Sequence, residues 1–382
     1  MNDQNMPPTI QKSTTYLFHI LLVVISIAIG AFGYRFVSHY QGELTLLQQA
    51  RAIITSNTIL DIPDDTALEY GMIRGMLAEL NDPYTYFVEP AAHEVESNDL
   101  SGSFGGIGAR LERDTDLNWR LYPLPDSPSL AAGLVDGDII LAIDDLPVTT
   151  ETDDITLLAA VRGPVGDPVN LTILRGEETL TVTIKREAVA IPSVVWNLLP
   201  EASTIGILHV YRIAETTADE VQTGISELQA QGAEAFILDL RNNGGGLVDS
   251  AVDIARLFLS EGEVLYEQFK GESENIYKVK SPGPFTDLPL VVLVNNFTAS
   301  SAEILAGALS AQGRALLIGA PTFGKTTIQY IFDLEDGSSV HVTSGRWWIP
   351  GVDFPLQPDI PVTDDPNGTV TIQTAIDQLG QN

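Results

Sequence analysis

Apolar positions recur along this chain with three different rhythms, and the changes of rhythm divide it. From Tyr16 to Val37 they run almost unbroken, YLFHILLVVISIAIGAFGYRFV. About 20 apolar residues rising 1.5 Å each cover a bilayer core of about 30 Å, so the run predicts a single-pass anchor. A cleaved signal peptide is the competing reading, because Ala28, Gly30 and Ala31 offer small residues for a cleavage site. From 43 to 80 the period becomes helical. LTLLQQARAIIT and ALEYGMIRGMLAEL are separated by Ile62-Pro63-Asp64-Asp65. Met72, Ile73, Met76, Leu77 and Leu80 fall on one face that predicts helix packing. Asn81-Asp82-Pro83-Tyr84 then closes the helix as a turn.

Between 100 and 187 the rhythm shortens to strands and glycine turns. A glycine-rich loop, Gly102 to Gly108, leads into a short strand at Ala109-Arg110-Leu111. Further on, Asp136-Gly137-Asp138 opens an apolar strand, and a short helix is predicted over 154–161. VNLTILR and TLTVTIKRE alternate with period two and are joined at Gly176-Glu177, a hairpin pattern. This order of elements resembles a PDZ domain. The resemblance implies a loop, Phe104, Gly105, Gly106, Ile107 and Gly108, whose backbone N–H groups take the carboxylate of a peptide's C-terminus while the peptide adds a strand. From Ile191 onward, apolar strands (TIGILHVYR, AFILDLR, LPLVVLVN, RALLIG) alternate with helices over 217–231, 247–259 and after Ser300. Strands apolar on both faces indicate a layered α/β core. A polar-turn hairpin, TTIQYIFDL and SSVHVTSGRWW, follows.

Composition narrows the chemistry. The 382 residues carry 51 acidic against 20 basic side chains, a formal net charge of −31. Such a field disfavours nucleic acid and anionic lipid as partners. Cysteine is absent, which excludes thiol catalysis and disulfides. Five histidines (His19, His39, His93, His209, His341) are scattered, with no pair at metal-ligand spacing, so no metal or organic cofactor is expected. The acidic, cysteine-free bulk fits an extracytoplasmic address.

Two turns carry candidate chemistry. The strand Val291-Val292-Leu293-Val294 breaks at Asn295-Asn296-Phe297-Thr298-Ala299-Ser300-Ser301 and runs into a helix, which sets a hydroxyl among free N–H groups. Lys325 follows 25 residues after Ser300, with Gln329 four further on. A buried lysine can lose its proton and serve as base for that hydroxyl. The overall negative charge opposes deprotonation, so local burial must supply it; Phe323, Ile328 and Tyr330 are the apolar neighbours in sequence. Asn243-Gly244-Gly245-Gly246, at the end of another buried strand, lets backbone approach a ligand closely.

The succession of a PDZ unit, DLRNNGGG, NNFTASSAEILAGAL and GAPTFGKTTIQ resembles the carboxyl-terminal processing peptidases (peptidase family S41) over roughly residues 65 to 365. The resemblance implies a crotonase/Clp-protease-like layered core with an inserted PDZ domain. It implies Ser300 as nucleophile, Lys325 as general base, Gln329 orienting the lysine, and the N–H groups of Gly246 and Ser301 as oxyanion donors. This chain has Ser301-Ala302 where the family often has Ala-Ser, and Thr326 where it has glycine. Thr298-Ala299 and the spacing to Lys325 favour Ser300 over Ser301. The implied organisation is a short segment over 1–15, the anchor or signal segment over 16–37, a helical region over 38–97, the PDZ unit over 98–187 and the peptidase core over 188–382. The expectation is a membrane-anchored serine endopeptidase with its catalytic part extracytoplasmic, or secreted if the N-terminal segment is cleaved, acting on proteins with free C-termini.

Three other readings compete. GAPTFGKT satisfies the phosphate-loop pattern, but that loop must open a helix, and TTIQYIF is β-branched and alternating. A catalytically inactive peptide-binding scaffold would have lost Ser300 or Lys325, and both are present. Acyl-CoA chemistry on the same core lacks an acidic pair and a basic patch for phosphates.

Overall fold

The computed structural model describes residues 45–362, 365 and 367–380. The expected anchor, Tyr16 to Val37, lies outside the described residues, and among these no helix is long and apolar enough to cross a membrane. The chain divides between Met72 and Ile73 into two units. The first contains the helix Thr45–Asn57 and the start of Asp65–Ala78, joined by an ion pair between Arg51, in the middle of the first helix, and Asp65, at the start of the second. The predicted packing face is not fully used: Leu77 is buried, but Met76 and Leu80 are 64% and 59% exposed.

In the second unit, the PDZ-like module is an antiparallel sheet in the order Ala109–Arg113, Trp119–Pro123, Asp138–Ile143, Pro168–Arg175, Glu178–Lys185. Period-two alternation works as expected on Pro168–Arg175: Val169, Leu171 and Ile173 are fully buried against Leu121, Ile140 and Leu157 of the module's own core. The helix Asp154–Val161 is started by Asp153, whose carboxylate accepts from Thr156 N at 2.9 Å. The entering and leaving segments, Ser103–Gly106 and Glu187–Ala190, pair antiparallel with each other, so the module is an insertion on a two-stranded stem.

The remaining chain builds a six-stranded sheet in the order Val194–Leu199, Ala202–Val210, Ala235–Asp239, Leu290–Val294, Leu316–Gly319, Ile360–Pro361, parallel except for the first pair. Its central strands are buried at every position, because alternate side chains enter two separate cores. Val292 and Val294 pack with the helices Thr217–Ala230, Val248–Phe258 and Ser301–Ala311, whereas Val291 and Leu293 pack with Thr369–Leu379. A second sheet runs Tyr86–Val88, Ser339–Trp348, Glu263–Phe269, Asn275–Lys278, with Thr327–Asp333 also paired to Ser339–Trp348. Sequence periodicity did not foresee the strands of this sheet outside the hairpin, or the helix Thr369–Leu379. Through Tyr86–Val88, a segment read as helical contributes a strand to the core. After Lys325 comes the strand Thr327–Asp333, not the helix that a phosphate loop requires.

Candidate active site

Three loops converge at the C-terminal ends of the parallel strands. Ser300 is the residue before the helix Ser301–Ala311 and sits at φ 54°, ψ −123°. This left-handed conformation is strained for a side chain with a Cβ and turns the hydroxyl out of the strand-to-helix corner. The turn is fixed by Thr298, whose hydroxyl donates to Leu240 O at 2.8 Å, and by Ala299 N, which donates to Asn243 O at 3.0 Å. Asn243 in turn donates from its side chain to Val210 O and accepts from Gly245 N, both at 2.8 Å.

The glycine run packs tightly against that turn. A Cβ on Gly245 would lie 3.0 Å from both Ser300 Cβ and Ser301 N. One on Gly246, at φ 147°, would meet Ile213 O at 2.0 Å. Neither the Gly246 nor the Ser301 N–H has an acceptor among the described residues. Two amides near one hydroxyl are thus left available to a ligand.

Glu303, three residues after the serine, is the knot of the site. It is fully buried, and its carboxylate accepts four bonds. Oε2 accepts from Ser300 N at 2.9 Å and Lys325 N at 3.0 Å; Oε1 accepts from Thr322 Oγ1 at 2.5 Å and Gly324 N at 2.7 Å. A buried carboxylate without a cationic partner is tolerable only when its lone pairs are filled in this way. The same bonds tie the backbone of Ser300 to that of Lys325.

Ser300, Lys325, Gln329, Gly244 and Gly246 line one cavity of about 480 Å³, closed on other sides by Leu100, Tyr277 and His341. Lys325 is half-buried, and its ammonium lies 4.9 Å from the Tyr84 ring centre. Burial pushes the Lys325 amine below its ordinary value, while the charge of Asp82 pulls the other way. Asp82 is itself held low by hydrogen bonding, first from Thr343 and then from Thr85. No carboxylate forms an ion pair with Lys325 among the described residues. Of the apolar neighbours expected from sequence, Ile328 is buried in the cavity wall, but Phe323 and Tyr330 are 53% and 43% exposed. The aromatic ring at Lys325 comes instead from Tyr84, far away in sequence. Gln329 shares the cavity, yet its amide nitrogen donates to Thr327 Oγ1 and Thr343 Oγ1, each at 3.1 Å, and not to Lys325. A larger cavity of about 740 Å³ around His209, Asp239 and Arg241 includes neither Ser300 nor Lys325.

A second candidate site lies in the inserted module. Phe104, Gly106, Ile107 and Gly108 border an apolar groove of about 70 Å³ together with Leu111, Leu158 and Val161. Gly105 is not among its lining; its carbonyl accepts from Gly163 N. The carbonyls of Ile107 and Gly108 accept from Ser129 N and Leu124 N, whereas their own N–H groups have no acceptor among the described residues. Ala109–Arg113 is an edge strand of the sheet, so one side of its backbone is open beside this groove.

A strained serine at a strand-to-helix corner shares one cavity with a half-buried lysine, in a layered core that carries an inserted PDZ-like module, and this is the class of arrangement expected of a serine peptidase. Comparison with known proteins gives the family. Residues 204–362 match the profile of peptidase family S41, and residues 105–185 match that of the PDZ domain. The carboxyl-terminal-processing protease of Picosynechococcus sp. (strain ATCC 27264 / PCC 7002 / PR-6) is 38% identical over 291 residues, covering 74% of this chain and 69% of that protein. The carboxy-terminal processing protease CtpA of Bacillus subtilis (strain 168) is 34% identical over 286 residues, covering 74% of this chain and 60% of that protein. A solved photosystem II D1 C-terminal processing protease superposes with a TM-score of 0.47 at 28% identity, over 91% of this chain and 95% of that one. The chain belongs to the carboxyl-terminal-processing proteases of peptidase family S41, which are serine proteases.

Proposed function

We propose that this protein captures the C-terminal tail of a protein substrate on its PDZ module and cleaves the chain nearby with a Ser300–Lys325 dyad. The observation that carries the reading is the joint placement of Ser300 and Lys325 in one cavity, with both backbone amides held by a single buried carboxylate, Glu303. The tail lies along the open edge of Ala109–Arg113, its carboxylate on the N–H groups of Ile107 and Gly108, its last side chain against Leu111, Leu158 and Val161.

Neutral Lys325 takes the Ser300 hydroxyl proton as Oγ attacks the scissile carbonyl carbon. The oxygen that gains charge is held by the N–H groups of Gly246 and Ser301. The lysine then gives its proton to the departing amine, leaving an acyl-serine. A water molecule, deprotonated by the same lysine, attacks the ester and frees the new C-terminus and Ser300. Gln329, braced by Thr327 and Thr343, positions the wall beside the lysine and moves no proton. The apolar run Tyr16 to Val37 supports attachment to the cell membrane with the catalytic part outside the cytoplasm.

The test is Ser300→Ala. Removing the hydroxyl should leave a folded protein that still binds an apolar-tailed unfolded polypeptide but cuts it at least about 10⁴-fold more slowly. Undiminished cleavage by the purified variant would refute the assignment.

A further inference from the structure

Two of the five histidines, His93 and His341, far apart along the chain, are brought together by the fold. His93 and Glu96 stand three residues apart on the helix Pro90–Ser101 and so share a face. His341 reaches the same place from the strand Ser339–Trp348 and is 3% exposed, its ring stacked 4.5 Å from that of Tyr86. One ligand atom from each of His93, Glu96 and His341 lies within 4.8 Å of the others. Glu96 and His341 also line the cavity that contains Ser300 and Lys325.

Among the described residues, two buried ring nitrogens of this cluster lack an aligned hydrogen bond: His93 Nδ1, and His341 Nε2, whose polar contact is an ion-pair approach to Glu96. Buried imidazole nitrogens are rarely left so. The other nitrogen of His93 explains what Nδ1 is free to do. His93 Nε2 lies 2.9 Å from Asp333 Oδ1. A proton held there by the carboxylate leaves Nδ1 as a lone-pair donor, the arrangement that orients metal-binding histidines. His341 Nε2 lies 3.2 Å from Glu96 Oε2 but without hydrogen-bond alignment. That spacing matches the ~3.3 Å between two ligands that sit about 2.0 Å from one tetrahedral ion.

We infer that His93 Nδ1, Glu96 and His341 Nε2 form a binding site for one zinc-type transition-metal ion, with Asp333 holding the His93 ring. Two imidazoles and one carboxylate suit such an ion, whereas calcium and magnesium take oxygen ligands. Three protein ligands leave a fourth position for water. An occupied site fastens the helix that leads into the PDZ module to the strand on the cavity wall. The site stands independently of the Ser300–Lys325 reading.

The experiment titrates the tag-free full chain, stripped with EDTA and dialysed, with ZnCl₂ by calorimetry, counts zinc retained after gel filtration, and records the ligand-field spectrum with Co²⁺. One zinc per chain is expected, with a dissociation constant on the order of micromolar or tighter, a four-coordinate Co²⁺ spectrum, and a raised Tm. Glu96→Gln and His341→Gln should each lose at least about 100-fold in affinity, and Asp333→Asn about 10-fold. Asp333 is 79% exposed, so its variant folds even if the buried ones fail, and circular dichroism checks each. Failure of the wild type to retain zinc, or retention unchanged in Glu96→Gln or Asp333→Asn, overturns the assignment.

Discussion

At the scale of single residues, the proposed dyad requires a neutral lysine in a protein of net charge −31. Burial at the cavity wall lowers the Lys325 amine, and Asp82 together with the Tyr84 face favours the cation. The sign follows directly. The folded protein disfavours the charged amine, so its neutral fraction grows as pH rises through a value below the ordinary 10.5. kcat/KM should therefore climb with pH on a limb set by Lys325. Asp82→Asn removes the carboxylate that holds the proton on, so the limb should move to lower pH; a limb that stays put or moves up would count against the dyad. Lys325→Arg should be inactive across the same range, because guanidinium does not deprotonate. Glu303 teaches a related lesson. Its position three residues after the serine is plain in the sequence, but that its four acceptor bonds join two loops 22 residues apart is a fact of three dimensions.

At the scale of elements, the inserted module was legible as a whole because its strands are local. The Pro168–Arg175 and Glu178–Lys185 pair is a tight hairpin, and the helix Asp154–Val161 ends where the glycines begin. Its open edge strand and unpaired loop amides support a substrate tail bound through its free carboxylate. Amidating the C-terminus of a peptide substrate should raise KM at least about 10-fold while changing kcat less, since a carboxylate–amide contact remote from the scissile bond is lost. Leu158→Glu, which sets a like charge beside the tail, should do the same to the unmodified peptide. Equal KM values for amide and acid would remove the module from substrate capture.

At the scale of the whole molecule, the negative field screens substrates before any contact forms. Between about 0.05 and 0.5 M salt, kcat/KM should fall for cationic peptides and rise for anionic ones, as the Debye length shrinks from ~14 to ~4 Å. Parallel salt dependences for both would show that the charge lies away from the approach path. The layered α/β core, the inserted module, and a serine and a lysine in informative turns are all legible in the amino-acid order alone. Those features are written in local alternation, in glycines and in fixed short spacings. Which distant side chains meet is visible in the folded chain and not in its local patterns. Tyr84 reaches Lys325, Tyr86–Val88 joins the second sheet, and His93 reaches His341 because strands pair across long stretches of chain. Periodicity reports which face of an element is apolar, but not which element it will face. That choice is made by the packing of the folded whole.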